Sequence, residues 1–225
     1  KVARFSGLDG SSVLKLLGVD AREGEGCSVS SRLDGFPLAP DAKLELLSIG
    51  DISLRVGGRV QTLAPRLFPD LASTASGWFY ATGAELEAAD GGVERDEYAL
   101  SALGEQGIGH FELTLSAPSA VDGLRLDGKP PLTLARDADV QLAWDPEDMR
   151  AQLELEIYAG GSVLSCSARD DGQFTLPAAK LALLEADPQA SIVVRRVIAL
   201  STEMQGVESA LVRFATTRTA TLAVQ

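Results

Sequence analysis

The chain is 225 residues long and carries a formal net charge of −12, enough for one large all-β domain or two of about 100 residues each. A negative field of that size argues against binding to nucleic acid or to an anionic membrane, both of which need positive charge. Hydrophobic content of 45% and charged content of 23% are those of an ordinary globular protein, and no apolar run reaches the roughly 20 residues of a membrane-spanning helix. Asparagine is absent, so no N-x-[ST] glycosylation acceptor exists. The chain opens at Lys1 without methionine; the expectation is a removed leader or upstream segment, where a lipidated cysteine could provide an anchor.

Residues 11–18 (SSVLKLLG) predict one or two turns of helix, with a Ser N-cap and a terminal Gly. Residues 20–41 are rich in Gly, Ser, Asp and Pro and read as loop, with a short strand around 27–31. A strand begins at 44–47. At 51–56, Ile52, Leu54 and Val56 alternate with Ser53 and Arg55, and Gly57-Gly58 turns the chain into a hairpin partner at 59–63. Two prolines exclude residues 64–71 from any central strand. Residues 77–81 (GWFYA) hold the densest aromatic cluster. Trp78, Phe79 and Tyr80 read either as core plus a strand edge or as a stacking platform for a sugar or peptide. Residues 84–97 are acidic and Gly-containing and predict an exposed loop or hairpin tip. Residues 97–103 and 110–116 alternate again and are expected to pair.

A small, polar, Pro-containing link at 118–123 marks the expected domain boundary, giving an N-terminal β-rich domain at 1–117 and a β-sandwich at 118–225. Short strands follow at 124–126, 132–134 and 140–144. Residues 152–158 place Leu153, Leu155 and Ile157 on one face and Gln152, Glu154 and Glu156 on the other. Gly160-Gly161 turns into 163–166, and Asp170-Asp171-Gly172 turns into 173–176. Residues 177–185 (PAAKLALLE) form the best helix, with Pro at the first turn. Residues 190–200 and 209–217 are long strands, and 219–224 closes the sheet. The fold class is therefore all-β, with antiparallel sandwiches and one short helix near 178–185.

The residues that could carry chemistry are few. His110, the only histidine, would have to serve any Ser-His-acid triad, and no G-x-S-x-G elbow exists. One histidine and two distant cysteines disfavour a closed zinc site. Gly7 to Ser12 lacks the Gly-Lys-Ser/Thr element of a P-loop. With 32 acidic residues, some pair would meet a glycosidase spacing by chance. Calcium is the one cofactor with candidate ligands, Asp145, Glu147 and Asp148, although solvated turn carboxylates fit the same pattern and no EF-hand register is present. Cys27 and Cys166 are the only cysteines and read either as one disulfide formed in an oxidising compartment or as two buried thiols.

From Trp144 through Cys166, Phe174 and Pro177, in the pattern W…C-x₇-F-x₂-P, the second half resembles immunoglobulin-like β-sandwich modules in secreted proteins and lipoproteins of high-GC bacteria such as myxobacteria. The stretch SIGDISLRVGG resembles the first strands of such proteins. The resemblance implies a fold and an extracytoplasmic compartment but no activity. It departs from antibody-type domains because Cys166 has no partner cysteine within its own half.

The functional expectation is a non-enzymatic, extracytoplasmic β-sandwich protein acting as an envelope-associated binding or structural module. Its partner would be another envelope or surface protein, met through edge strands or through Trp78, Phe79 and Tyr80. The alternatives are a carbohydrate-binding module using those aromatics and a glycan hydrolase using paired carboxylates.

Overall fold

The protein is represented by a computed structural model that describes residues 3–6, 25–31, 43–56, 58–71, 75–80, 97–130, 133–147 and 150–225. The helix expected at 11–18 and most of the loop expected at 84–97 lie outside these residues. The described chain is all-β, with one short helix, α1 (Ala178–Leu181).

The chain divides into two compact units, each discontinuous in sequence. The first takes residues 1–21, 36–117 and 201–212; the second takes 22–35, 118–200 and 213–225. The assignment changes at Ala117/Pro118, with residues 22–35 belonging to the second unit and residues 201–212 to the first.

The first unit holds two four-stranded sheets. One runs in the order β1 (Ala3–Ser6), β3 (Lys43–Leu46), β7 (Ala75–Tyr80), β6 (Pro65–Leu71). The other runs β5 (Arg59–Leu63), β4 (Ile52–Val56), β8 (Glu97–Ala102), β9 (Phe111–Ser116). The hairpin expected at 52–63 and the pairing of β8 with β9 are both present. The proline-bearing β6 stands at a sheet edge, where a missing N–H costs no ladder bond. A small core of Leu47, Ile49, Ile52, Ala102 and Ile108 is flanked by Leu63, Tyr80, Leu100, Phe111, Met204 and Val207.

The second unit holds a three-stranded sheet, β10 (Arg125–Leu126), β12 (Val140–Ala143), β15 (Gln173–Leu176), and a six-stranded sheet. The larger sheet runs β11 (Thr133–Leu134), β17 (Val207–Val224), β16 (Asp187–Met204), β13 (Gln152–Ala159), β14 (Ser162–Arg169), β2 (Gly26–Ser31), the ends of β16 and β17 within residues 201–212 being counted with the first unit. Leu126, Val140, Leu142 and Leu176 from one sheet and Leu153, Leu155, Ile157, Leu164, Ile192 and Val194 from the other form a single core. The strict period of two drives this packing: Leu153, Leu155 and Ile157 are buried while Glu154, Glu156 and Tyr158 stay half-buried on the outer face. Each such aliphatic side chain removed from water stabilises the fold by about 1.5–3 kcal/mol.

Three local outcomes differ from the sequence pattern. Asp170-Asp171-Gly172 leads into β15, which leaves the sheet of β14 and pairs with β12. The helix stops after Leu181 because the following turns tighten, with Leu183 and Leu184 each donating to the carbonyl three residues back. Residues 207–224 form one strand without a break near 218. Among the described residues, pairing is antiparallel except for β3 with β7 and β11 with β17.

Candidate functional site

Cys27 and Cys166 are directly opposite each other on β2 and β14 and form a disulfide, with Cα atoms 4.1 Å apart. The bond joins neighbours within one sheet; the antibody-type bridge instead crosses between two sheets. It pins an N-terminal strand, remote by 139 residues, onto the edge of the six-stranded sheet. Cys166 is buried, and Cys27 and Val29 of β2 are half-buried against the core.

A buried polar cluster lies in the second unit. Sequence reading passed over its centre, Arg196, although the signal was available. On β16, Arg196 is in phase with Ile192 and Val194 and therefore faces the core, whereas Arg195 faces outward. A guanidinium in that position needs a buried acid and further acceptors. Asp170 supplies the acid: the two side chains are 1% and 0% exposed, with Nε to Oδ2 at 2.8 Å. That contact lies off the N–H direction, so it is an ion contact and not a hydrogen bond. The Arg196 amino groups donate to the carbonyls of Asp145 at 2.6 Å and Ala120 at 2.8 Å, to Ser119 Oγ at 2.7 Å and to Asp170 Oδ1 at 3.2 Å. Trp144 Nε1 also donates to Asp170 Oδ1, at 2.7 Å. The buried tryptophan expected of the sandwich thus closes the network with its polar tip.

This network absorbs part of the proposed calcium cluster. Glu147 lies 3.5 Å from Arg196 and accepts from the Ser119 backbone N–H at 2.7 Å. Asp145 is exposed, its carboxylate beside Gly123, and its carbonyl is the one bound to Arg196. Asp148 lies outside the described residues. Among the described residues, no group of three or more His, Cys, Asp or Glu side chains is gathered so that it could hold a metal.

A second network covers the outer face of the six-stranded sheet. Arg195 donates to Glu156 at 2.7 Å, Tyr158 Oη donates to the same carboxylate oxygen at 2.8 Å, and Arg213 pairs with Glu154. Burial pushes the Tyr158 phenol above its ordinary pKa, and the hydrogen bond to Glu156 pushes the same way. Burial alone would lower the Arg195 pKa, but the hydrogen bond and charge of Glu156, with Tyr158 and Glu154, outweigh it and raise the value. Glu154 and Glu156 share a face two residues apart, about 7 Å along the strand, a separation that glycosidase carboxylates also use. Each is engaged by a guanidinium, an arrangement that braces the sheet.

Of the aromatic run, Trp78 is half-buried and directly opposite Leu67, which is 66% exposed. Opposed residues of antiparallel strands share a face, so Pro65, Leu67, Trp78 and Tyr80 form one row. Tyr80 is half-buried against the small core, where its hydroxyl accepts from the Ile49 backbone N–H at 2.8 Å. The side chain of Phe79 lies outside the described set. Within this row the run splits: Tyr80 is structural, and Trp78 with Leu67 is an accessible apolar pair. His110 is exposed immediately before β9.

Among the described residues, no helix is long and apolar enough to cross a membrane. No family model matches the chain, and no curated protein matches its sequence.

Proposed function

We propose that the protein is a non-enzymatic binding module of an oxidising, extracytoplasmic compartment that engages an envelope or surface protein through the Trp78–Leu67 face. The observation that carries this reading is the exposure of Leu67 beside a half-buried tryptophan on the outermost strand pair of its sheet. Large amphipathic rings next to accessible aliphatic groups are favoured anchors for protein partners. Contact would use the face and not the strand edge, because Pro65 and Pro69 deprive β6 of two N–H donors. The compartment is supported by the Cys27–Cys166 disulfide, since reducing cytosols disfavour such bonds. The non-enzymatic reading is supported by the engagement of Arg196, Asp170, Glu147, Glu154 and Glu156 in structural pairs. The immunoglobulin-like reading of the second unit is supported by Trp144 in a two-sheet core, while the within-sheet disulfide sets it apart from antibody domains.

A photo-crosslinking amino acid at position 67 tests this in the producing cells, with the equally exposed Val60 of β5 as the control position. A discrete protein adduct from position 67 that disappears on Trp78→Ala, with none from position 60, is expected. No adduct at 67, or the same products from both positions, would overturn the reading. Saturable binding on a glycan array lost in Trp78→Ala would transfer this face to the carbohydrate-binding alternative.

A further inference from the structure

The strand β2 ends the six-stranded sheet, with β14 as its one neighbour there among the described residues. Every buried member of the sandwich core lies on another element; β2 adds only Cys27 and Val29, half-buried at the margin of that core. Ser28, Ser30 and Ser31 are exposed, and none is a β-branched or aromatic residue of the kind that favours a strand. The ion pair of Arg169 with Glu25 beside the strand has side chains 79% and 47% exposed, where water and salt leave little attraction. Burial therefore holds β2 weakly, and the six-residue ladder to β14 and the Cys27–Cys166 bond hold it in place. The neighbouring β14 is secured from its other side: it runs in eight-residue register with β13 and buries Leu164, Cys166 and Ala168. The two sulfurs also differ in access, since Cys27 is half-buried on the outermost strand and Cys166 is 4% exposed.

We propose that the Cys27–Cys166 disulfide is a redox latch: a dithiol reductant opens it, and β2 leaves the sheet while the rest of the sandwich stays folded. A thiolate of the dithiol attacks Cys27 Sγ and forms a mixed disulfide; the electron pair of the broken S–S bond leaves on Cys166 Sγ, which takes up a proton. The second thiol of the reductant then displaces Cys27 Sγ, so that both cysteines end as thiols and the dithiol as a disulfide. A bond between opposed residues of adjacent strands restrains that strand pair alone, whereas a bridge between two sheets would clamp the core itself. With the bond closed, the chain between Cys27 and Cys166, 139 residues apart, is already looped back onto the sheet. With it open, closing that loop and ordering β2 again oppose docking, and a strand that buries so little has few contacts to offset them. Its departure bares the backbone edge of β14 and the Cys166 thiol. The latch lies in the second unit and is independent of the Trp78–Leu67 reading.

Hydrogen exchange of the full chain, read by peptide mass spectrometry before and after treatment with excess dithiothreitol in native buffer, tests the latch. Both thiols should become alkylatable without denaturant. The amides of residues 26–31 should then exchange at least about tenfold faster than in the oxidised chain. Residues 153–157 of β13 and 192–194 of β16 should keep their protection. Cys27→Ala combined with Cys166→Ala should show the same unprotected β2 with no reductant present. A bond that resists dithiothreitol until the chain is denatured would overturn the proposal. So would a β2 that stays protected in the reduced chain or in the double variant, or a loss of protection in β13 and β16 together with β2.

Discussion

Replacing Arg196 by Met tests whether the buried network is a main determinant of the second unit's stability. The side chain is 1% exposed and its partner Asp170 is 0% exposed, so solvent cannot rehydrate either group without opening the fold. The substitution leaves Asp170 with the Trp144 indole and the Glu147 backbone N–H as donors. It also strips a donor from the carbonyls of Ala120 and Asp145. Breaking a buried pair by removing one partner costs about 3–5 kcal/mol. With a urea slope of about 1.5 kcal/mol per M for a unit of this size, the midpoint should fall by about 2–3 M. The assay is urea unfolding followed by fluorescence in a Trp78→Phe background, which leaves Trp144 as the sole tryptophan reporter. Asp170→Asn keeps an acceptor for the indole and should also destabilise, and the double variant should cost less than the sum of the two. Two single variants that each cost under about 1 kcal/mol and add without coupling would show that the network does not determine the unit's stability.

Further outcomes follow from other parts of the structure. Cys27→Ser with Cys166→Ser removes a crosslink spanning 139 residues, worth about 5 kcal/mol in the chain-entropy model; an unchanged urea midpoint would contradict this. The raised pKa of Tyr158 means its contribution to stability is complete below the ordinary value of 10.0 and is lost as pH climbs through the higher folded-state value. Ultraviolet titration of the three tyrosines should therefore show a late transition above pH 10 that Tyr158→Phe removes, and a curve that Tyr158→Phe leaves intact above that pH would contradict the assignment. Gly77→Ala should destabilise the first unit by about 2–4 kcal/mol, because φ is +123° and the new Cβ would overlap the Leu46 carbonyl. Wild-type melting of that variant would contradict the close β3–β7 approach.

The parts of the fold legible in the sequence are those governed by nearest-neighbour periodicity. Leu153, Leu155 and Ile157 announce β13, Gly160-Gly161 its turn, and Ile52, Leu54 and Val56 announce β4. Periodicity carries no information about which sheet a strand joins, so the turn at Asp170-Asp171-Gly172 announces β15 but not its pairing with β12. Local pattern also says nothing about β2 leaving its sequence neighbours to complete a sheet 139 residues away; only the even cysteine count hinted at it. The alternation of Trp78 and Tyr80 was visible, but which ring meets solvent depends on the Leu67 and Ile49 backbones folding beside them. Arg196 was legible in principle, since its phase with Ile192 and Val194 makes it a core residue that demands an acid. Composition alone hides it among the chain's other charges.

The Cys27–Cys166 disulfide locks strand β2 onto the edge of the six-stranded sheet. Thiols blocked in intact producing cells before lysis, followed by peptide mass mapping without reductant, test it directly. Cys27 and Cys166 are both expected to escape the blocking reagent, with their two peptides joined. Both cysteines carrying the reagent in the isolated protein would contradict it.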